Sequence, residues 1–308
     1  MISKNKLSKI GLGTWGIGGF MEATNNDNEY EKQINSLIYS FGKEINYFET
    51  VYMYAQGKTI DLLAQALKKS NINREKVFIT LSIYEQDAST VEEIEDRIND
   101  FLKVFEINYI DSVQFAMSFV NKIGIQKIKE LVEKLISTGK IRFTSLTNSN
   151  LEFLKEYHQI FGDKLFAHEN VFNFEIRENE KMGITEYAKQ NNILNVIFQP
   201  LRRNRTANRN WPLLVELANK YNKTQNQIIL NWITLKGFFP IVKSSTIAHI
   251  DENLASFDFQ IEQTDLDKLN NFEVPNYTTP KIDWDETGDG VTIYQLPNKF
   301  DELCPKNE

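Results

Sequence analysis

A carboxylate and a phenol lie five residues apart, at Glu49 and Tyr54, where an apolar run gives way to a glycine turn. The run, which starts at Ile45, is typical of a strand, and a helical pattern begins after Gly57. In a parallel α/β barrel, catalytic residues lie at such strand-to-helix junctions. Tyr54 is therefore a candidate proton donor with Glu49 as its electrostatic neighbour, and a surface loop that contains a tyrosine is the alternative.

Positioning these side chains requires a scaffold, and the chain alternates apolar runs with helical patterns eight times. Runs such as 77–83 suit parallel strands that are buried on both faces. The links are short, and no segment rich in Pro, Gly or Ser divides the chain, which favours one closed (β/α)8 TIM barrel over two domains. We predict a single α/β barrel domain over residues 1–274, with one helix over 122–137. An irregular C-terminal extension, residues 275–308, is predicted to pack on the barrel.

Composition excludes several classes of function. The net charge of −7 and the pI near 5.3 oppose nucleic-acid binding, which needs a basic face. No stretch approaches the roughly 20 apolar residues of a membrane span. The first residues lack the hydrophobic segment of a secretory signal, and the single cysteine, Cys304, has no intrachain partner. These features predict a cytoplasmic protein, and no metal site is predicted.

Several short motifs occur in a fixed order between about residue 8 and residue 257. They are Gly11-Leu12-Gly13-Thr14-Trp15, Phe48-Glu49-Thr50 with Tyr54 and Gly57, Arg74-Glu75-Lys76, Tyr109-Ile110-Asp111, Gly139-Lys140-Ile141-Arg142, Thr147-Asn148, Pro200-Leu201, Lys243-Ser244 and Glu252-Asn253-Leu254. In this ordered set the chain resembles the aldo-keto reductase family. The resemblance covers nearly the whole predicted barrel.

The resemblance implies carbonyl reduction with NADPH, by a tyrosine acid tuned by an aspartate, a lysine and a histidine on neighbouring strands. Only the tyrosine is kept, as Tyr54. Glu49 stands at the position of the family's aspartate, Ser82 at the position of its lysine and Ala116 at the position of its histidine. An ammonium group beside a phenol favours its ionisation and eases proton transfer, so its loss predicts weak or absent carbonyl reduction. Without that cation, Glu49 is predicted to face solvent or to hydrogen-bond Tyr54.

The positions that the resemblance assigns to cofactor binding match the family better than the catalytic positions do. Lys243 and Ser244 match residues that hold an adenosine 2'-phosphate, and Glu252 and Asn253 match residues that bind adenine. His249 replaces a frequent arginine, and a neutral imidazole binds phosphate less well. The expected cofactor is NADP(H), with NAD(H) still open.

At the nicotinamide end, the resemblance assigns cofactor contacts to Thr147, Asn148, Glu169 and Phe198. Glu169 replaces a glutamine that commonly binds the carboxamide, and an ionised carboxylate could pair only with the carboxamide NH2. Further cofactor contacts are assigned to Gly13, Thr14, Pro200 and Leu201. The arginines within 202–209 either clamp the pyrophosphate or form a solvated basic loop.

Three functions stay open at this point. Tyr54 could sustain an active NAD(P)H-dependent oxidoreductase, or the barrel could keep the nucleotide, or only its fold, for binding or regulation. In the third, Glu49 and Glu169 form a new carboxylate pair for hydrolytic or proton-transfer chemistry, although two unrelated solvated acids are the simpler interpretation. His158 and His168 are interpreted as structural. The expected partners are a dinucleotide and a small carbonyl compound, and protein partners are not predicted.

Overall fold

The computed structural model describes residues 3–43 and 45–275. Eight parallel strands follow one another in chain order and close into a barrel, because the first strand also pairs with the last. The strands are β1 (Gly11–Gly13), β2 (Tyr47–Val51), β3 (Phe78–Ile83), β4 (Ile110–Ala116), β5 (Ile141–Thr147), β6 (Leu165–Val171), β7 (Leu194–Phe198) and β8 (Phe239–Val242). The predicted (β/α)8 barrel is confirmed.

Thirteen α-helices occur within the described residues, most of them on the outside of the barrel. They are α1 (Asp27–Gly42), α2 (Lys58–Ser70), α3 (Val91–Phe105), α4 (Met117–Ile123), α5 (Ile125–Ser137), α6 (Leu151–Phe161), α7 (Glu178–Lys181), α8 (Ile184–Gln190), α9 (Arg205–Asn208), α10 (Pro212–Tyr221), α11 (Gln225–Leu235), α12 (Ile247–Leu254) and α13 (Gln263–Asn271). None of these helices combines the length and the apolar character of a membrane span.

Helix α3 illustrates how the sequence specifies these elements. Thr90 caps its start, since the side-chain oxygen accepts a hydrogen bond of 3.2 Å from the backbone N–H of Glu93. Buried Ile94, Ile98 and Phe101 then recur at helical spacing. One face of the helix is therefore apolar and packs inward, while the other stays in water.

The predicted single helix over 122–137 is wrong. Helices α4 and α5 are separated at Gly124, whose φ of 98° and ψ of 124° are not helical. Only glycine adopts a positive φ at little cost, so this residue breaks the helical pattern. Helix α13 is also absent from the sequence prediction. The predicted extension, residues 275–308, lies outside the described residues apart from Pro275.

The inside of the barrel changes from apolar to polar along its axis. Aromatic rings fill the N-terminal end, where Phe78 stacks on Tyr47 at 5.4 Å and on Phe166 at 4.2 Å between ring centroids. Gly11 is required here, because an added Cβ would lie 2.7 Å from a ring carbon of Tyr47. One layer higher, Thr80 donates a hydrogen bond of 3.0 Å to the Tyr47 hydroxyl. The polar layers lie toward the C-terminal ends of the strands, where barrels of this kind carry their sites.

Candidate active site

Four side chains from four strands form one hydrogen-bonded chain inside the barrel. Ser82 in β3 donates from Oγ to Oε1 of Glu49 in β2, at 3.0 Å. Gln114 in β4 donates from Nε2 to Ser82 Oγ at 2.9 Å, and also to Oε2 of Glu169 in β6. Ser82 and Gln114 are register partners, which explains their contact. We call these four residues the acid network.

Both acids of this network are buried, with exposed fractions of 4% for Glu49 and 5% for Glu169. Burial raises the pKa of Glu49 well above its ordinary value, and the charge of Glu169 raises it further. Burial also raises the pKa of Glu169, to about 7, although the hydrogen bond from Gln114 opposes this. Within the described residues neither acid forms an ion pair with a lysine, arginine or histidine. Two buried like charges are costly, so the pair retains a proton near neutral pH.

Two sequence predictions about these acids are wrong. Glu49 does not face solvent, and its hydrogen-bond donor is Ser82 and not Tyr54. Glu49 and Glu169 are also not unrelated solvated acids, because Ser82 and Gln114 connect them. The physical reason is that both side chains point into the closed barrel, where polar side chains of neighbouring strands are the available partners.

Tyr54 begins a 3-10 turn in the loop after β2. Its ring packs edge-on against Trp15 at a centroid distance of 4.8 Å. The next two residues, Ala55 and Gln56, have φ values of 48° and 53°, which are left-handed. A non-glycine residue pays about 1–3 kcal/mol for this conformation, and such strain is concentrated at functional sites.

Trp15 brings three loops together at the mouth of the barrel. Tyr54 reaches it from the loop after β2, and Phe20 packs on it at 5.5 Å from the loop after β1. Arg203, from the loop after β7, places its guanidinium carbon 5.6 Å from the Trp15 ring centroid. The mouth above the acid network is therefore rimmed by aromatic rings and one cation.

Two arginines of the loop after β7 bind an interior acid. Arg202 Nη1 forms an ion pair with Oε2 of Glu175, and Arg209 Nε lies 3.2 Å from Oε1. Trp211 Nε1 donates to the same Oε1 at 2.7 Å. The side chains of Glu175 and Arg202 have no exposed surface. The solvated-loop interpretation is thus wrong for Arg202 and Arg209, which anchor this loop to the barrel.

A cavity of about 660 Å³ opens beside this loop, between α10, the start of α11 and the last turn of α12. Amide side chains dominate its lining, namely Asn204, Asn208, Asn210, Asn219, Gln225 and Asn226. Two buried acceptors, Gln225 Oε1 and Asn226 Oδ1, have no hydrogen-bond partner within the described residues. Glu252, a predicted adenine contact, lines the same cavity and accepts 2.9 Å from Thr224 Oγ1. Buried acceptors of this kind call for donors from a ligand or water.

The predicted phosphate contacts lie together after β8. Lys243 is exposed, and its Nζ lies 2.9 Å from Ser245 Oγ. Ser244 is buried and accepts 2.9 Å from Asn253 Nδ2, which ties the end of β8 to α12. His249 is exposed in the first turn of α12. The ammonium of Lys243 and the half-buried hydroxyl of Ser245 therefore lie near the start of α12, a suitable setting for an anion.

Two predicted cofactor residues brace the strands that carry the acids. The hydroxyl of Thr14 donates to the backbone oxygen of Glu49 at 3.0 Å, and that of Thr147 donates to the backbone oxygen of Glu169 at 3.2 Å. Asn148 follows with a left-handed φ of 49°.

The remaining predicted residues line the inner wall and the loop after β7. Gly13 faces Oε2 of Glu49, and Ala116 ends β4 with no exposed surface. Phe198 and Leu201 are half-buried and Pro200 is buried. Phe198 and Leu201 pack against the core cluster under the loop after β7, so the structure places them close to the segment that Glu175 anchors.

The model of the aldo/keto reductase family matches residues 9–273. This chain belongs to the aldo/keto reductase family. The match extends across all eight strands and both acids of the network, so the family assignment covers the whole described site.

Individual members of the aldo/keto reductase family are distant relatives. Glyoxal reductase of Bacillus subtilis is 26% identical over 258 residues, which cover 83% of this chain and 87% of that protein. Methylglyoxal reductase YeaE of Escherichia coli is 23% identical over 267 residues, covering 85% and 90%. Among solved structures, the thermostable aldo-keto reductase Tm1743 with the inhibitor epalrestat has a TM-score of 0.78 at 24% identity, covering 86% of this chain and 94% of that one. An aldo/keto reductase from Klebsiella pneumoniae with NADP and acetate has a TM-score of 0.76 at 20% identity, covering 90% and 95%.

Sequence reasoning missed three parts of this site. Gln114 carries no predicted role, although it lies two residues before Ala116 in a strand and therefore on the same face. Gln225 and Asn226 follow Thr224, whose capping box with Gln227 marks the start of α11. No local signal identifies Glu175, because its partners come from a loop about thirty residues later.

Proposed function

We propose that this family member binds NADP(H) across the barrel mouth and that its carbonyl reduction is weak or absent. The observation that carries the proposal is the acid network. The positions that the family resemblance assigns to an aspartate, a lysine and a histidine hold Glu49, Ser82 and Ala116. General acid catalysis typically supplies about 10² to 10⁴ in rate, so losing the groups that assist a phenol removes much of it.

The amide-lined cavity supports dinucleotide binding. Adenine offers an exocyclic NH2 donor, and Gln225 Oε1 and Asn226 Oδ1 are buried acceptors that need donors. Lys243 is exposed with its ammonium beside Ser245, where it could pair with a 2'-phosphate. The residues present therefore fit the adenosine end of NADP(H). When bound, the reduced nucleotide supplies a hydride, and the chain's residues position it and exclude water.

The relatives indicate the class of substrate. Glyoxal reductase and methylglyoxal reductase are named for small dicarbonyl compounds, and one neighbouring structure holds NADP. The corresponding substrate of this chain is a small aldehyde that binds at the aromatic mouth of the barrel. The proposal includes a cytoplasmic location.

A second candidate is an active oxidoreductase that uses Tyr54. The observation in its favour is the edge-on packing of Tyr54 against Trp15, which holds the phenol at the rim. An aldehyde panel with NADPH separates the two candidates, because turnover that disappears in Tyr54→Phe assigns the proton to the phenol. Unchanged turnover in that variant removes Tyr54 from the mechanism.

Fluorescence titration of the full chain with NADPH and NADH tests the proposal. Saturable binding of NADPH is expected. Asn226→Leu removes one acceptor and should weaken the binding of both NADPH and NADH by a factor of about 2 to 10. Lys243→Ala should weaken the binding of NADPH and leave the binding of NADH unchanged, because only NADPH carries the 2'-phosphate. Failure of the chain to bind either nucleotide would refute the proposal.

A further inference from the structure

We propose that Glu49 is held as a neutral carboxylic acid and donates its proton to the carbonyl oxygen of a substrate at the barrel mouth. This inference rests on the proposed function and assigns the proton donor of whatever reduction remains. It concerns a residue that the resemblance treats only as a replaced aspartate.

The two acids of the network do not share the negative charge equally. Gln114 has no exposed surface, and its Nε2 donates to Oε2 of Glu169, which favours the ionised form of that acid. Ser82 accepts from Gln114 and donates to Oε1 of Glu49. When Glu169 is ionised, a second negative charge on Glu49 would be repelled across the two hydrogen-bonded links formed by Gln114 and Ser82. The proton therefore stays on Glu49.

The surroundings offer no compensating cation. Glu169 and the phenol of Tyr47 are titratable neighbours of Glu49. Burial is the largest cause of the raised pKa of Tyr47, and the charges of both acids raise it further. His168 is adjacent to Glu169 but bonds Ser149 on the opposite face of the strand, and burial lowers its pKa to about 3. Lys243 follows β8, and its ammonium lies 2.9 Å from Ser245 Oγ. Within the described residues, no positive charge neutralises Glu49.

The two carboxyl oxygens of Glu49 differ in their accessibility. Oε1 of Glu49 is occupied by Ser82, whereas Oε2 has no hydrogen-bond partner within the described residues and is not among the fully enclosed unpaired atoms. The exposed 4% of Glu49 therefore includes this oxygen. Gly13 leaves room beside it, since an added Cβ would lie 3.9 Å from Oε2. One oxygen of the acid is thus anchored by Ser82, and the other keeps a small accessible surface.

A further unpaired atom lies within the network. Gln114 Oε1 is buried and has no partner within the described residues, although its own NH2 group bonds both Ser82 and Glu169. An unpaired acceptor at Gln114 Oε1 fits a site in which a proton or a hydrogen-bond donor is present during part of the catalytic cycle. A carboxylic acid kept neutral by its surroundings is a known way to supply a hydrogen-bond donor at pH 7.

The chemical step balances without a phenol. The carbonyl carbon gains a hydride, with its two electrons, from the dihydronicotinamide of the proposed cofactor. The carbon–oxygen π bond and the O–H bond of Glu49 break, while new C–H and O–H bonds form. The carbonyl is reduced to an alcohol and the nucleotide is oxidised. Glu49 is left as a carboxylate and regains its proton from water through the mouth.

The test combines a pH profile with a titration of the nucleotide-free protein. With NADPH and methylglyoxal, wild-type kcat/KM is expected to be highest at low pH and to fall about tenfold per pH unit once Glu49 ionises. Glu49→Gln imitates the neutral acid in shape, so it should still bind NADPH, but it should lose at least tenfold in rate and the pH dependence with it. Glu49→Asp should retain the profile. In Tyr54→Phe the fall of kcat/KM with rising pH should persist whatever happens to the absolute rate, because the phenol does not supply the proton.

Infrared spectra of the nucleotide-free protein give the second readout. At pH 7 the wild type should show the carbonyl stretch of a protonated carboxyl group that Glu49→Gln lacks, and Glu169→Gln should let Glu49 ionise at lower pH. A carboxylate signal from Glu49 at pH 6, or equal turnover in Glu49→Gln, overturns the inference, as does a wild type that binds NADPH without turnover at pH 6. Loss of NADPH binding by the wild type overturns the proposed function instead, while the infrared result still decides the protonation of Glu49.

Discussion

The hydroxyl of Ser82 donates a 3.0 Å hydrogen bond to Glu49 from the strand position that the family resemblance assigns to a lysine. A neutral donor therefore stands where an ammonium group is expected. Since a hydroxyl does not neutralise a buried carboxylate, the acid keeps its proton more readily than it would beside a cation.

Restoring the charged groups should restore reductase activity. The combined variant Glu49→Asp, Ser82→Lys and Ala116→His returns the groups that tune a phenolic acid, so kcat/KM for methylglyoxal should rise by about 10² or more at pH 7. Steady-state consumption of NADPH measures it. Glu49→Asp alone is the matched control and should show no such rise. A combined variant that binds NADPH but gains nothing would mean that the mouth differs in more than these positions.

Removing one acid of the network should stabilise the fold at alkaline pH. Burial raises the pKa of Glu169 to about 7, so the folded state holds a proton that the unfolded state releases above its own pKa of 4.5. This contribution is fully present below pH 4.5 and is lost as pH rises through 7. Glu169→Gln should therefore have a higher free energy of unfolding in urea than wild type at pH 8, by up to about 3 kcal/mol. At pH 4.5 the variant and the wild type should be equally stable. The same difference at both pH values would contradict the assignment.

The anchor under the loop after β7 should be costly to break. Glu175→Gln leaves Arg202 buried without its counter-ion, and removing one partner of a buried pair costs about 3–5 kcal/mol. Urea unfolding at pH 7 measures the loss. Glu186→Gln, an exposed acid in α8, is the control and should change stability by less than about 0.5 kcal/mol. A small effect at Glu175 would show that the loop is held by other contacts.

Asp87 should control the turn that carries Tyr54. Its carboxylate accepts 2.9 Å from the backbone N–H of Tyr84. Burial raises its pKa to about 6, although backbone hydrogen bonds from Tyr84 and Met53 oppose the rise. Asp87 therefore joins the loop after β3 to the residue before Tyr54. An amide has one acceptor oxygen, so Asp87→Asn should increase hydrogen exchange over residues 52–57.

The exposed acid of the same loop provides the control for this prediction. Glu85 pairs with Lys122 at 3.5 Å in solvent, and Glu85→Gln should leave exchange over 52–57 unchanged. Equal protection in Asp87→Asn and wild type would remove Asp87 as a tether.

The sequence predicted the barrel well because parallel strands buried on both faces leave a strong local signal. Runs such as 77–83 are apolar throughout, and Thr90 marks a helix start. The site was harder to predict. Gln114 reaches across β5 to Glu169, and no local pattern encodes a contact that depends on how the barrel closes. The sequence shows only the charge of Arg202, whereas the fold alone determines that its partner is the buried Glu175.

The most direct test of the central claim is a single-turnover measurement of NADPH oxidation. Protein saturated with NADPH is mixed with excess methylglyoxal at pH 8, in parallel with the combined variant Glu49→Asp, Ser82→Lys and Ala116→His. Because the wild type lacks the cation and the imidazole, it should oxidise its bound NADPH at least about 10² times more slowly than the variant. Equal rates in the two proteins would contradict the account.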